Sequence, residues 1–208
     1  MSESESFIDE VTEEVRRDRL YRYLRRYGWI AVLAVVLLVG AAGWNEWRKA
    51  EERETAQAFG DAILAALEAP DRAARAEALA DVAAPSDGGR AVLTLLTAAE
   101  EQANDPAGAA QRLLTLADSA DVPQVYRQLA TLKAVTLPDG GLGVDERRRR
   151  MESLTRTGGL VRLMAEEQLA LIEVETGETQ AALERLQRIA EDAEATAGLR
   201  RRAQQMIV

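Results

Sequence analysis

The 208-residue chain has no cysteine and no histidine. Disulfides, thiolate nucleophiles and Ser-His-Asp triads are therefore excluded, as are the usual Cys/His zinc sites. Lack of cysteine fits cytosol and periplasm alike and does not choose between them. Aromatic residues make up only 4 % of the chain, and lysine occurs only at Lys49 and Lys133. Strand-favouring β-branched and aromatic residues are sparse outside one early window, while Ala, Leu, Glu and Arg, all good helix formers, dominate the rest. The expected fold class is all-α: one N-terminal transmembrane helix, then a stack of helical hairpins.

The net charge of -9 is uneven, with residues 1–27 at -1, residues 28–49 at +1 and residues 50–208 at -9. An acidic domain repels a phosphate backbone, so no nucleic-acid partner is expected.

Gly28 to Trp44 carries no charge. Its length falls in the range of roughly 17–25 apolar residues that cross a bilayer as a helix. Trp29 and Trp47 would lie about 27 Å apart at ~1.5 Å per residue, close to the hydrocarbon thickness. Tyr23, Tyr27 and Trp29 at one border, with Trp44 and Trp47 at the other, read as aromatic belts. Two alternatives compete with a lipid-bilayer anchor. A buried core helix would not normally be apolar on every side for this length. A signal peptide cleaved near Gly40-Ala41-Ala42 would have an unusually long and acidic leader.

Orientation follows from the basic residues. Arg16, Arg17, Arg19, Arg22, Arg25 and Arg26 precede the run, whereas only Arg48, Lys49 and Arg53 follow closely. The positive-inside rule keeps the N-terminus cytoplasmic and exports the rest. The expected organisation is a cytoplasmic tail over 1–27, a transmembrane helix over 28–47 and a periplasmic domain over 48–208. In the tail, Phe7, Val11 and Val15 form an apolar stripe, with Ser6 as the expected helix cap. The stripe suits either a docking helix or a solvated extension of the span.

Beyond Ala50 the pattern predicts helices over 50–69, 72–84, 88–103, 106–118, 123–136, 144–157, 160–176, 179–194 and 196–207, separated by short Pro-, Gly- and Asp-rich breaks. Short breaks make neighbouring helices antiparallel. Asp71, Asp105 and Asp139 are each 34 residues apart, and Gly177 stands 38 further on. That is the period of the tetratricopeptide helix-turn-helix unit. Such a unit places a small residue five positions after its turn and a larger apolar one four later. Gly177 is followed by Ala182 and Leu186, and Asp105 by Ala110 and Leu114. Asp71 is followed by Ala76 and Ala80, and Asp139 by Val144 and Arg148, which breaks the pattern. An irregular Ala-rich bundle is the alternative. Leu160, Leu163, Met164, Leu169, Leu171, Ile172 and Val174 cover more than one face, as expected of a helix packed between two neighbours. The last helix, with Arg200-Arg201-Arg202, would close the stack.

No phosphate-binding loop precedes a Lys-Ser/Thr pair, and Gly140-Gly141-Leu142-Gly143 lacks the strand that a dinucleotide site requires. No catalytic residue, cofactor or metal site is expected. Arg147-Arg148-Arg149-Arg150 reads either as a solvated helix face or as a contact for an acidic partner.

The stretch from Phe7 to Leu20, then Tyr27-Gly28-Trp29-Ile30, the apolar run, and Trp44-Asn45-Glu46-Trp47-Arg48-Lys49-Ala50 resembles one family. It is the tetratricopeptide-repeat-like family of ancillary SecYEG translocon subunits, in its alphaproteobacterial form. The resemblance rests on the anchor region, about a quarter of the chain. It implies an inner-membrane protein without enzymatic activity. Its partners would be translocon subunits and periplasmic folding factors, to which secreted chains are handed over. The competing reading is a scaffold for an envelope complex that never touches translocating chains. The oligomeric state is left open.

Overall fold

The structure is a computed structural model that describes the backbone of residues 3–207 and the side chains of residues 25, 26, 29, 30 and 32–207. The described residues form α1 (Glu3–Leu67), α2 (Arg72–Ala80), α3 (Asp87–Glu101), α4 (Pro106–Asp118) and α5 (Gln124–Thr136). They continue with α6 (Val144–Thr155), α7 (Gly159–Glu175), α8 (Thr179–Glu191) and α9 (Ala197–Ile207). The chain divides into two compact units, Met1–Thr55 and Ala56–Val208.

The first unit is helical throughout its described residues. Tail, apolar run and the first expected domain helix are not separate elements, because all lie in α1. No proline interrupts that stretch, which removes the strongest reason for a break. Ser6, expected as a cap, lies inside α1, which begins at Glu3. The side chains of Tyr23, Tyr27 and the tail stripe lie outside the described residues. Among the described residues no helix is long and apolar enough to cross a membrane, and the expected span begins at Gly28, whose side-chain position lies outside them.

In the second unit the breaks follow from local chemistry. Asp71 and Asp105 cap α2 and α4 by accepting the amides of Ala74 and Gly108 at 2.9 and 2.8 Å. Pro106 occupies the first turn of α4, where its missing N–H costs nothing. Helix α2 stops at Ala80, short of the expected residue 84. Pro85 disfavours helical backbone at Ala84, and Ser86 then caps α3 through the Gly89 amide at 3.1 Å.

Ion pairs fix the helix directions. Arg75 at the start of α2 reaches Glu100 at the end of α3 (2.9 Å), and Arg162 at the start of α7 reaches Asp192 just beyond α8 (2.8 Å). Arg147 at the start of α6 reaches Glu175 at the end of α7 (2.6 Å). In these three pairs the consecutive helices therefore run antiparallel. The small-then-large motif lies on α2, α4, α6 and α8, which are the second helices of their units. Helices α3, α5 and α7 are first helices, and α5 touches both of the others.

The core is a chain of adjoining clusters along the stack. One joins Ala98, Leu113 and Ala130, the next Leu132, Met151 and Leu169, and the last Leu163, Leu186 and Leu199. A fourth, around Leu79 and Leu93, receives Phe59 and Ile63. Burying one Leu side chain is worth about 1.5–3 kcal/mol, so each cluster is a substantial local seal. Helix α9 closes the end, with Leu199 and Ala203 buried and Arg201 and Gln204 outside.

Helix α7 lies between two neighbours, α6 and α8, as its apolar residues on more than one face lead one to expect. Leu163, Leu169 and Ile172 of α7 are buried, but Leu160, Met164, Leu171 and Val174 are exposed. Helix α5 touches it as well. On the remaining face, Glu167 lies among Leu160, Met164 and Leu171 and is covered by Arg202 of α9, so that face is open only in part.

Candidate interaction surface

The partly open side of α7 continues onto α5. Val125 and Leu129 are exposed on α5, and Leu160, Met164 and Leu171 on α7. Residues four and seven apart share one helix face, so each set forms a stripe. The two stripes correspond at a spacing of 35 residues: Val125 with Leu160, Leu129 with Met164, and Thr136 with Leu171. On α3 the same spacing reaches Arg90, Thr94 and Glu101, so the apolar stripe does not extend there. A hollow of about 120 Å³ lies where Leu95, Ala98 and Gln102 of α3 meet Lys133 and Thr136 of α5. A second, of about 380 Å³, has Thr136, Gly140, Gln168 and Leu171 in its lining. The first helices α5 and α7 thus share a face of Val, Leu and Met side chains interleaved with Lys133, Thr136, Gln168 and the Glu167–Arg202 pair. Scattered exposed apolar residues mean little, but a contiguous row across two helices is what a protein partner covers.

The opposite side is charged and internally paired. Arg150 of α6 forks onto Asp118 of α4 at 2.5 and 2.9 Å and also holds Glu146 at 2.7 Å. Arg148 reaches Glu178, at the start of α8, at 2.5 Å, and Arg149 holds Glu146 at 2.6 Å. The hydrogen bond from Arg150 holds the Asp118 carboxyl below its ordinary value, and Asp118 in turn raises Arg150. Glu178 is lowered first by the Thr176 hydroxyl and then by Arg148. Three of the four arginines join α6 to other helices: Arg150 to α4, Arg147 to α7 and Arg148 to the start of α8. Arg149 stays exposed and pairs within α6. Arg148 occupies the position where the repeat pattern places an apolar residue, and an ion pair replaces that packing.

Helix α7 also binds the closing helices through acids. Glu173 is 3 % exposed and receives Arg185 of α8 at 2.6 Å, while Glu166 pairs with the same arginine. The Glu173 hydrogen bonds raise the Arg185 pKa against the opposing effect of burial. Glu167 accepts a two-pronged contact from Arg202 of α9 at 2.8 and 2.9 Å.

The residues singled out by the repeat pattern fall as follows. Ala110, Ala182 and Leu186 are buried and Leu114 is half-buried. The reason Ala110 is small is visible: a Cβ on Gly140, in the α5–α6 turn, would stand 3.1 Å from the Ala110 methyl. Gly177 has a different reason. Its φ is +82°, and nothing lies within 4 Å of where a Cβ would be, so backbone conformation and not packing calls for glycine. Ala76 is half-buried and Ala80 exposed, and Leu79 takes the buried place in that hairpin.

At the expected membrane borders Arg25 and Arg26 are exposed, and Trp29 donates its indole N–H to the Arg26 carbonyl at 3.1 Å. Trp44 and Trp47 are exposed and meet edge-on at 5.3 Å between ring centres. Tyr27 lies outside the described side chains.

The model of a tetratricopeptide repeat-like domain matches residues 21–138, more than half of the chain. The chain belongs to this tetratricopeptide repeat-like family. The match begins ahead of the apolar run and ends in the α5–α6 turn. The family's domain in this protein therefore includes Gly28–Trp44 as well as the first hairpins. No curated protein and no solved structure matches the chain. Proteins of this repeat class serve as protein-interaction modules, and within the hairpins of this member the helices α5 and α7 expose apolar side chains. Neither Val125 nor Leu129 stood out in the sequence, although the 35-residue echo of Val125/Leu129 in Leu160/Met164 was there to be read.

Proposed function

We propose that this protein is a membrane-anchored interaction module of the bacterial inner membrane that receives secreted chains at the Sec translocon and passes them to periplasmic folding factors. The N-terminus is cytoplasmic and the repeat domain periplasmic. It works by binding and carries no catalytic group. The observation that carries the reading is the row of exposed Leu, Met and Val side chains shared by α5 and α7. Such a row suits the apolar side chains of an incompletely folded protein, whose burial is worth roughly 25 cal/mol per Å².

Anchoring is supported by the described side chains of the apolar run. Ile30, Val32, Leu33, Val35 and Leu38 are exposed, an arrangement that water disfavours and lipid welcomes. The arginine excess before the run supports the orientation. In inverted inner-membrane vesicles, added protease should trim only the N-terminal tail, and digestion of the repeat domain would refute this topology.

The function is tested by a photo-crosslinking amino acid placed at Leu129 or Met164 in native membranes. Adducts with translocon subunits or nascent secretory chains are expected. Adducts confined to one stable envelope assembly would instead make the protein a scaffold. Reproducible turnover of a substrate by the purified protein would overturn both.

A further inference from the structure

The half-buried arginines of the repeat domain are partnered, with one exception among the described residues. Arg75, Arg147, Arg148, Arg150, Arg162 and Arg185 hold carboxylates, and Arg200 holds the carbonyls of Asp192 and Ala195. Arg127, in the first turn of α5, makes no ion pair and no side-chain hydrogen bond among the described residues. Its Nε is buried without a partner, and its two terminal nitrogens, equally unbonded, reach the surface. An unmet buried donor is costly. Acids on the surrounding elements do not relieve it. Asp118 of α4 is taken by Arg150, and neither Asp121 in the α4–α5 turn nor Glu152 of α6 forms an ion pair among the described residues.

The next hairpin shows what an arginine in this place holds. Residues 35 apart take equivalent places in the α5–α6 and α7–α8 hairpins: Ala130 and Ala165, Met151 and Leu186, and Leu154 and Ile189 are all buried. At the same spacing Arg127 corresponds to Arg162, and Thr157 to Asp192. The turn backbone agrees. The Thr157 amide donates to the Leu154 carbonyl at 3.0 Å, and the Asp192 amide to the Ile189 carbonyl at 3.3 Å. Arg162 reaches Asp192 at 2.8 Å and Glu194 at 2.9 Å. The α6–α7 turn, Arg156-Thr157-Gly158, is shorter and contains no acid. A Cβ at Gly158 or Gly159 would meet nothing within 4 Å, so the space beside it is open. Helix α5 therefore keeps the arginine and lacks the acid that the fold supplies one hairpin later. Arg156 adds a second unpaired positive charge to the turn, offset in part by Glu152.

We propose that Arg127 and the α6–α7 turn form a seat for the carboxylate of an aspartate or glutamate side chain supplied by a protein partner. A carboxylate can accept two guanidinium N–H groups side by side, as a single hydroxyl cannot. Protein side chains, those of Asp192 and Glu194, fill the equivalent seat in this same molecule. The seat does not depend on the translocon as partner, nor on the apolar row of α5 and α7.

The test uses the full chain in detergent micelles with ¹⁵N-labelled arginine, and follows the Nε–H signal of Arg127, assigned by its loss in Arg127→Lys. The probe is an end-capped peptide copying residues 189–196, which carries Asp192 and Glu194. A counterpart with Asn and Gln in place of its acids is the control, and sodium acetate is a third arm. The acidic peptide should shift the signal and saturate at about millimolar concentration, and the amide counterpart should bind roughly tenfold more weakly or worse. Thr157→Asp should fill the seat from within, shifting the signal without peptide and abolishing the response to it. Gly158→Glu carries the same test if Thr157→Asp does not fold, as thermal unfolding will show. The proposal is overturned if the acidic peptide gives no saturable shift, if the amide counterpart binds equally well, or if the folded variant responds like the parent. Acetate that saturates the signal at the same concentration as the peptide would make this a site for small free acids, and equally overturns the assignment to a partner's side chain.

Discussion

Replacing Arg185 with methionine should be among the most damaging single changes outside the apolar core. Its guanidinium faces Glu173, which is 3 % exposed and accepts two of its N–H groups at 2.6–3.1 Å. The substitution keeps the aliphatic volume and removes the charge. Glu173 is then left as a carboxylate with neither counter-ion nor water. Breaking a buried pair from one side costs about 3–5 kcal/mol, a large part of the roughly 5–15 kcal/mol that holds a typical domain together. Glu166, the second partner, is 22 % exposed at its side chain and turns to solvent at small cost. Removing both charges, as Arg185→Met with Glu173→Leu, replaces the pair with apolar packing and should restore stability to within about 1 kcal/mol of the parent. The assay is urea unfolding of the full chain in detergent micelles, with amide exchange of α8 as a local readout. A single-variant loss below about 1 kcal/mol, or a double variant as unstable as the single, would refute the account of Glu173 as a buried, arginine-dependent charge.

Gly177→Ala should lower stability by about 1–2 kcal/mol, since φ is +82° there, and Gly177→Asn should lower it less; thermal unfolding reads both. Gly140→Ala brings a Cβ to 3.1 Å from Ala110 and 3.2 Å from the Leu137 carbonyl, and should cost about 1–3 kcal/mol. Ala110→Gly should recover part of that loss in the pair, and strict additivity would show that the two sites do not touch. Acidification should loosen the α4–α6 junction. Asp118 is held below its ordinary value of 3.8, chiefly by Arg150. Its contribution is therefore complete above the ordinary carboxylate range and lost as pH falls through the lowered value. Arg150→Gln should flatten that part of the pH–stability curve; an unchanged curve would show that the pair contributes nothing.

Much of the stack was legible because its boundaries rest on local chemistry. Asp71, Asp105 and Pro106 act within a few residues of where they stand, and the ends of α4 and α5 fall where the turn residues place them. Helix α2 ends four residues before its expected boundary: Ala83 and Ala84 are good helix formers, but Pro85 acts on the residue before it. What the sequence concealed was pairing over distance. Arg147 to Arg150 look like a solvated run in one dimension. Only the fold brings Asp118, Glu175 and Glu178 to them, from 28 to 32 residues away. The apolar excess of α7 serves both its packing between α6 and α8 and an exposed row, since burial and display use the same kinds of side chain. Leu160 and Met164 differ from Leu163 and Ile172 only in the direction the helix turns them.

The arginines of α6 also limit how this repeat array can evolve. Helix-turn-helix stacks commonly grow or shrink by gaining or losing whole units, since each touches only its neighbours. Here Asp118 belongs to one unit, Arg148 and Arg150 to the next, and Glu178 to the one after. Deleting the middle unit would strand acids on both sides, and duplicating it would leave an arginine of each copy without its acid. The length of the array is thus written into its charges, and lineages that change it must change those residues together.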